Sequence, residues 1–155
     1  MANTLEEHSP ADPSGERREF KKVEIFRPTC NLDTVRDGRG GIFTWVPPEP
    51  IVEFNMLYFR PGKSRGYHYH PHFIEYLLIV DGSGVLVTRE DPNDPECEEF
   101  VHLSKGICTR TEKNVYHAVH AITDMTIVAM LTHQWDHSDP PIIRVEDRQQ
   151  DEPES

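Results

Sequence analysis

The chain is poor in cysteine: Cys30, Cys97 and Cys108 are an odd number, widely spaced, and form no C-x-x-C pair. That pattern argues against a disulfide framework and against a cysteine zinc knuckle, and favours plain thiols in a reducing compartment. Long hydrophobic runs are missing as well. No stretch approaches the roughly 20 apolar residues of a membrane-spanning helix, and the opening Met-Ala-Asn-Thr-Leu-Glu-Glu has neither the basic nor the apolar part of a signal peptide. The expectation is a soluble cytoplasmic protein with no membrane partner. Basic charge is scarce, 16 Lys and Arg against 27 Asp and Glu, and the few cations form no stripe, so nucleic acid is not an expected partner. There is no internal repeat and no glycine-rich phosphate loop. Helical periodicity nowhere runs beyond about two turns, Asn31–Asp37 being the one candidate.

What is present is a chain of 155 residues with 13 prolines and nine glycines. That length fits one domain with tails, and that punctuation suits short strands and turns rather than a helical bundle. The net charge of −11 is unevenly spread. Residues 1–20, 89–99 and 136–155 together carry −13, leaving the remainder at +2 and able to accept an anionic ligand. Residues 1–20 and 146–155 have too few large apolar groups to offset chain entropy and are expected to be disordered arms. Residues 21–145 form the domain between them, with Glu90–Glu99 a solvated hairpin tip.

Alternating apolar residues and short apolar runs predict strands near Val23–Phe26, Gly41–Val46, Val52–Arg60, Tyr67–His70, Phe73–Val80 and Gly84–Arg89. Others are predicted near Glu98–Leu103, Ile107–Thr111, Val115–His120, Thr126–His133 and Ile142–Val145. So many short strands mean an all-β sandwich or barrel, of jelly-roll type. Phe73–Val80 is apolar on both faces, which fits a strand covered by a second sheet or by a second copy of the chain.

The segment Tyr67-His68-Tyr69-His70 puts two imidazoles on one face of a strand, about 6.6 Å apart along it. Such a pair is a common start for a divalent metal site. Glu75 shares parity with Leu77 and Ile79 and would face the interior, where a carboxylate is costly unless paired or bound to a cation. His117 shares its face with Val115 and Val119 and also points inward. Among the other histidines, His8, His102, His120, His133 and His137 read as ordinary surface or hydrogen-bonded residues, while His72 follows Pro71 in a turn beside the cluster and would line the pocket mouth.

The spacing Gly62-x5-His68-x-His70-x4-Glu75-x6-Gly82 resembles the complete first motif of the cupin superfamily. The second motif is met in part by Gly106, His117 and the residues between, with Glu112, Asn114 and Ala121 where the family has Pro, Gly and Asn. Asn114 can still adopt the positive φ that a glycine would supply. The resemblance spans about residues 40–135 and implies a single-domain cupin, a double-stranded β-helix or jelly-roll barrel. It also implies His68, His70, Glu75 and His117 as metal ligands.

A second resemblance is narrower. Asp37-Gly-Arg39-Gly-Gly-Ile-Phe and Pro61-Gly-Lys-Ser-Arg65-Gly-Tyr-His68-Tyr-His70 resemble segments of the cupins that act on nucleotide-linked sugars, the group of dTDP-4-dehydrorhamnose 3,5-epimerase and the sugar 3,4-ketoisomerases. The likeness is greatest to the zinc-binding cupin domain of capsular-polysaccharide sugar-nucleotide enzymes, whose closing strand and tail resemble Ala129–Asp136 and Asp139-Pro-Pro-Ile. It implies a nucleotide-sugar substrate, proton abstraction next to a carbonyl, bound zinc (with iron or manganese as alternatives), and a homodimer. Arg65 and Arg39 suit bidentate phosphate recognition, with Arg60 and Lys63 weaker candidates. In metal-free relatives the histidine matching His68 is itself the base. With a metal bound, His68 is a ligand and His72 becomes the candidate base, since Tyr67, Tyr69 and Tyr116 are predicted to point away. Two other readings stay open on the same fold: an iron- or manganese-dependent dioxygenase or lyase, and a non-catalytic module binding a small ligand.

Overall fold

The computed structural model describes residues 23–25 and 36–145. Its strands are β1 (Val23–Ile25), β2 (Arg36–Asp37), β3 (Gly40–Gly41), β4 (Glu53–Phe59), β5 (Ser64–Tyr69) and β6 (Glu75–Asp81), then β7 (Ser83–Arg89), β8 (Glu98–Ser104), β9 (Cys108–Thr111), β10 (Tyr116–Ala121), β11 (Met125–Leu131) and β12 (Ile143–Arg144). Two antiparallel five-stranded sheets, in the orders β1-β9-β6-β11-β4 and β12-β5-β10-β7-β8, make the barrel; β2 and β3 form a separate two-stranded ribbon. No helix among the described residues is long and apolar enough to cross a membrane.

Period-two patterning explains why the sheets close on each other. Along β11, Met125, Ile127, Ala129 and Leu131 are buried while the residues between them are partly exposed. Met125, Ile127 and Ala129 join Phe59, Leu77, Ile79, Leu86, Leu103, Val119 and Ala121 in the core between the sheets. The β6–β7 turn needs Gly82 at φ +85, where a Cβ would lie 2.0 Å from the Asp124 carbonyl oxygen. Asn114 takes φ +62, the conformation expected of a residue standing in for glycine. The acidic segment after β7 is a hairpin connection to β8, carrying a 3-10 turn over Pro95–Cys97.

Some expectations change. Gly41–Val46 is not a strand: only Gly40–Gly41 pairs, with Arg36–Asp37, and residues 42–47 run without regular structure. Among the described residues no strand pairs with it, and Pro47-Pro48 offers no backbone donor to a ladder. Instead Trp45 and Ile51 pack on Ile74, Tyr76 and Cys108. They thereby cover part of the outer face of β6, whose Val80 stays exposed. The strand expected over Phe73–Val80 begins only at Glu75, and that over Tyr67–His70 starts earlier, at Ser64. Residues 1–22, 26–35 and 146–155 lie outside the described residues, and with them the two arms, Phe26 of the first expected strand and most of the helix candidate, whose last residues Arg36–Asp37 are the strand β2.

Candidate metal centre

Three strands from both sheets bring His68, His70, Glu75 and His117 together. His68 on β5 is paired directly across the ladder with His117 on β10, so the two share the inner face. His70 follows the end of β5, and Glu75 opens β6 after the short Pro71–Ile74 connection. The ring centroids of His68, His70 and His117 are 4.7 to 5.0 Å apart. One ligand atom from each ring lies within 4.8 Å of the others. Glu75 Oε2 lies 3.1 Å from His117 Nε2 and 3.7 Å from His70 Nε2. For comparison, metal–ligand bonds of about 2.1 Å in a tetrahedral site put neighbouring donors about 3.4 Å apart.

The outer ring nitrogens fix how these imidazoles present themselves. His117 Nδ1–H donates to the Val115 carbonyl and His70 Nδ1–H to the Pro141 carbonyl, each at 3.0 Å. Both therefore turn Nε2 toward Glu75, the arrangement in which an outer hydrogen bond orients a metal-binding histidine. His70 Nε2 and His68 Nδ1 are buried without a hydrogen-bond partner. Phe73 stacks on the His70 ring at 4.3 Å, and Trp135 meets it edge-on at 6.1 Å.

Electrostatics agree with a cation-binding donor set. Burial, with the neighbouring His117 and His70, pushes His68 down to about 3, so its imidazole is neutral at physiological pH with a lone pair to offer. Burial alone would raise Glu75, but the neighbouring His117, 3.1 Å away, and His70 outweigh it and hold the carboxyl well below its usual range. For His117, burial works downward and the Glu75 hydrogen bond upward, and the carboxylate wins. Three inward-facing imidazoles and an ionised carboxylate, two of the ring nitrogens buried without a partner, fit a divalent ion, zinc included.

The surrounding residues fall where a backbone irregularity puts them. Gly66 and Tyr67 both have positive φ, +115 and +59, and the β5–β10 register slips between His117 and Ala118. This β-bulge leaves Tyr67 as the extra residue, with its ring edge against His120, itself hydrogen-bonded to Ser64 Oγ at 2.7 Å. A Cβ at Gly66 would sit 2.7 Å from the His117 carbonyl oxygen. Because of the bulge, Arg65 pairs with the core residue Val119 and shares the inner face with His68, its guanidinium 5.9 Å above the Phe59 ring. Simple alternation from His68 places Arg65 on the opposite face. Tyr116 turns away beneath the Arg89 guanidinium. His72 is exposed, its Nε2–H donating to the Asp139 carbonyl at 3.0 Å. Arg39 is exposed on the turn of the β2–β3 ribbon, which belongs to neither sheet. Cys108 is a buried thiol pushed up to about 12 by desolvation, an inert core group.

Sequence reasoning missed Phe73 and Trp135 as supports of His70, and it missed Arg144. Arg144 lies on β12 directly across from His68. Only the pairing of a two-residue strand brings it there, and no local pattern marks it.

A family model for the polysaccharide biosynthesis C-terminal domain matches residues 35–140. The chain belongs to this family. A comparison with curated proteins finds no match. Among solved structures, the chain is similar to the capsular polysaccharide assembling protein CapF of Staphylococcus aureus, with 23% identity and a TM-score of 0.56 over 75% of this chain; it spans 32% of the CapF chain. It is also similar to a 3,4-ketoisomerase of Helicobacter canadensis, with 20% identity and a TM-score of 0.66, covering 79% of this chain and 90% of that one. A third is a point mutant of QdtA, a 3,4-ketoisomerase of Thermoanaerobacterium thermosaccharolyticum, in complex with TDP-4-keto-6-deoxyglucose. There the identity is 15% and the TM-score 0.65, over 82% of this chain and 90% of that one. At such identities these likenesses establish the fold, a single-domain cupin jelly roll.

Proposed function

We propose that this cupin binds zinc and acts as an epimerase or isomerase on a nucleotide-linked keto-sugar in polysaccharide or deoxysugar biosynthesis. The observation that carries this reading is a three-histidine, one-glutamate cluster inside the barrel of a polysaccharide-biosynthesis family member, with Arg65 on the same inner face. The names of the similar structures, a capsular polysaccharide protein and sugar 3,4-ketoisomerases, point the same way. A cytoplasmic setting and a homodimer belong to the proposal.

His68, His70, Glu75 and His117 would hold the metal, whose contribution when bound is Lewis-acid stabilisation of the oxygen beside the carbon that loses its proton. The protein's own residues do the rest. Arg65 grips the diphosphate as a planar fork, with Arg39 assisting from the ribbon. His72 serves as the base: because its Nε2–H is committed to the Asp139 carbonyl, Nδ1 carries the lone pair that accepts a proton. Phe73 and Trp135 keep the His70 ring in place.

The test is incubation of the zinc-loaded protein with TDP- and UDP-4-keto sugars in deuterated water, followed by NMR. Deuterium entering next to the carbonyl is expected, with His72→Asn slowing it at least 100-fold while leaving metal content intact. No binding of any nucleotide sugar would overturn the reading, and stoichiometric iron with oxygen uptake would replace it with oxidative chemistry.

A further inference from the structure

The candidate centre lies in one layer of the barrel, built from two cross-strand rows. In one sheet the ladder runs Arg144, His68, His117, Thr88 and Glu99, from edge strand β12 to edge strand β8. In the other it runs Glu53, Leu131, Glu75 and Thr111, starting at edge strand β4. Residues directly opposite on a ladder share a face, so Arg144 and Glu53 end the two rows on the inner side. Their strands are the edges β12 and β4, which the β4–β5 connection places on one side of the barrel; there Arg65 on β5 reaches Phe59 on β4.

The two edges differ in charge and in commitment. Both oxygens of Glu53 are taken, Oε1 by Asn55 Nδ2 at 2.9 Å and Oε2 by the Trp135 backbone N–H at 2.8 Å. These donors hold its carboxyl below the usual range, so Glu53 stands as an anion at the start of β4. On the other edge Arg144 and Arg65 are exposed, and neither meets a carboxylate among the described residues. The arginines that do, Arg89 with Glu98 and Arg110 with Glu49 and Glu112, lie on outer faces. With Tyr67 extruded by the bulge, Arg65 and His68 occupy ladder positions two apart. Arg144 is therefore diagonal to Arg65, a separation of about 7–8 Å that long side chains bridge.

Taking the nucleotide-sugar reading above as its basis, we infer that Arg144 is the second cationic arm of the pocket, closing with Arg65 on the diphosphate of the ligand along the β5–β12 edge. Glu53 repels the anion from the β4 edge. The diphosphate thus runs beside His68 on one side of the metal centre, and the sugar enters the layer from that side. Two guanidinium forks suit a diphosphate, whose two phosphates each offer a pair of non-bridging oxygens to two parallel N–H groups.

Calorimetric titration of TDP and of thymidine into the zinc-loaded protein and its Arg144→Ala, Arg144→Gln and Arg144→Lys variants tests this. Arg144→Ala and Arg144→Gln are expected to weaken TDP at least tenfold and leave thymidine unchanged, with Arg144→Lys in between because it restores charge but not the fork. Two variants of unlike bulk guard against a folding defect, and unchanged zinc content confirms an intact centre. TDP affinity unaltered in all variants, or equal losses for TDP and thymidine, would overturn the role of Arg144 alone. A wild-type protein that binds neither TDP nor UDP would overturn the reading on which it rests.

Discussion

At the scale of single residues, the centre is decided by which atoms face inward and which are already committed. His70 and His117 each spend Nδ1–H on a backbone carbonyl, which leaves Nε2 as the inward atom. Glu75 stands on the inner face of β6 beside Leu77 and Ile79, where an ionised carboxylate persists only with cationic or proton-donating company. Elemental analysis of purified protein should therefore find about one zinc per chain. Replacing one ligand, as in His68→Ala or Glu75→Ala, should weaken zinc binding by more than 100-fold in chelator competition, beyond the ~10–100-fold typical of an outer-shell change. Zinc retained at full occupancy in both variants would remove these residues from the centre. His68, Glu75 and His117 were legible because each sits on a strand of clear parity, and His70 because it lies two residues after His68. Arg144 was not legible, since a two-residue strand has no periodicity to read.

At the scale of elements, two irregular features shape the barrel. The bulge at Gly66–Tyr67 turns Arg65 inward, an outcome that strict alternation along β5 predicts the wrong way round. The segment from Trp45 to Ile51 straps the outer face of β6, where a strand over Gly41–Val46 was expected. Its polar anchor is Glu49, which accepts short hydrogen bonds from Tyr76 Oη and from the Arg110 guanidinium. The Arg110 hydrogen bond is the main cause holding Glu49 below its ordinary value of 4.5. A carboxylate with a depressed folded pKa contributes stability that is full above its ordinary value and fades as pH falls through the folded one. Glu49→Gln should thus cost about 1 kcal/mol near pH 7, given its partial exposure. The gap between variant and wild type in chemical denaturation should shrink steadily below pH 4.5. A gap that is constant from pH 7 to pH 3 would mean that the anchor is not electrostatic.

At the scale of the whole molecule, the outer face of edge strand β4 is left apolar. Phe54, Met56 and Tyr58 are 76%, 58% and 65% exposed, alternating with inward residues of the same strand. An edge strand with such a stripe is poorly suited to water and well suited to a second copy. With the strap on the outer face of β6, β4 is the face on which a second copy would sit. Sedimentation at micromolar concentration should show a dimer, and Phe54→Glu with Met56→Glu should convert it to a monomer with little loss of fold stability. A wild type that is monomeric throughout would dismiss this surface.

The amino-acid sequence by itself determined the all-β class, nearly all of the strands and the spacing that seats three histidines and a glutamate on inward positions. Those properties follow from period-two alternation and from fixed offsets within short segments, which are local. Only the tertiary structure decided that Arg65 faces inward, that Arg144 stands across from His68, and that Trp45 and Ile51 pack on the outer face of β6. Each depends on pairing between segments distant along the chain, where the partner strand, a slipped register or an available apolar face sets the outcome. None of these is encoded in the periodicity of either segment alone.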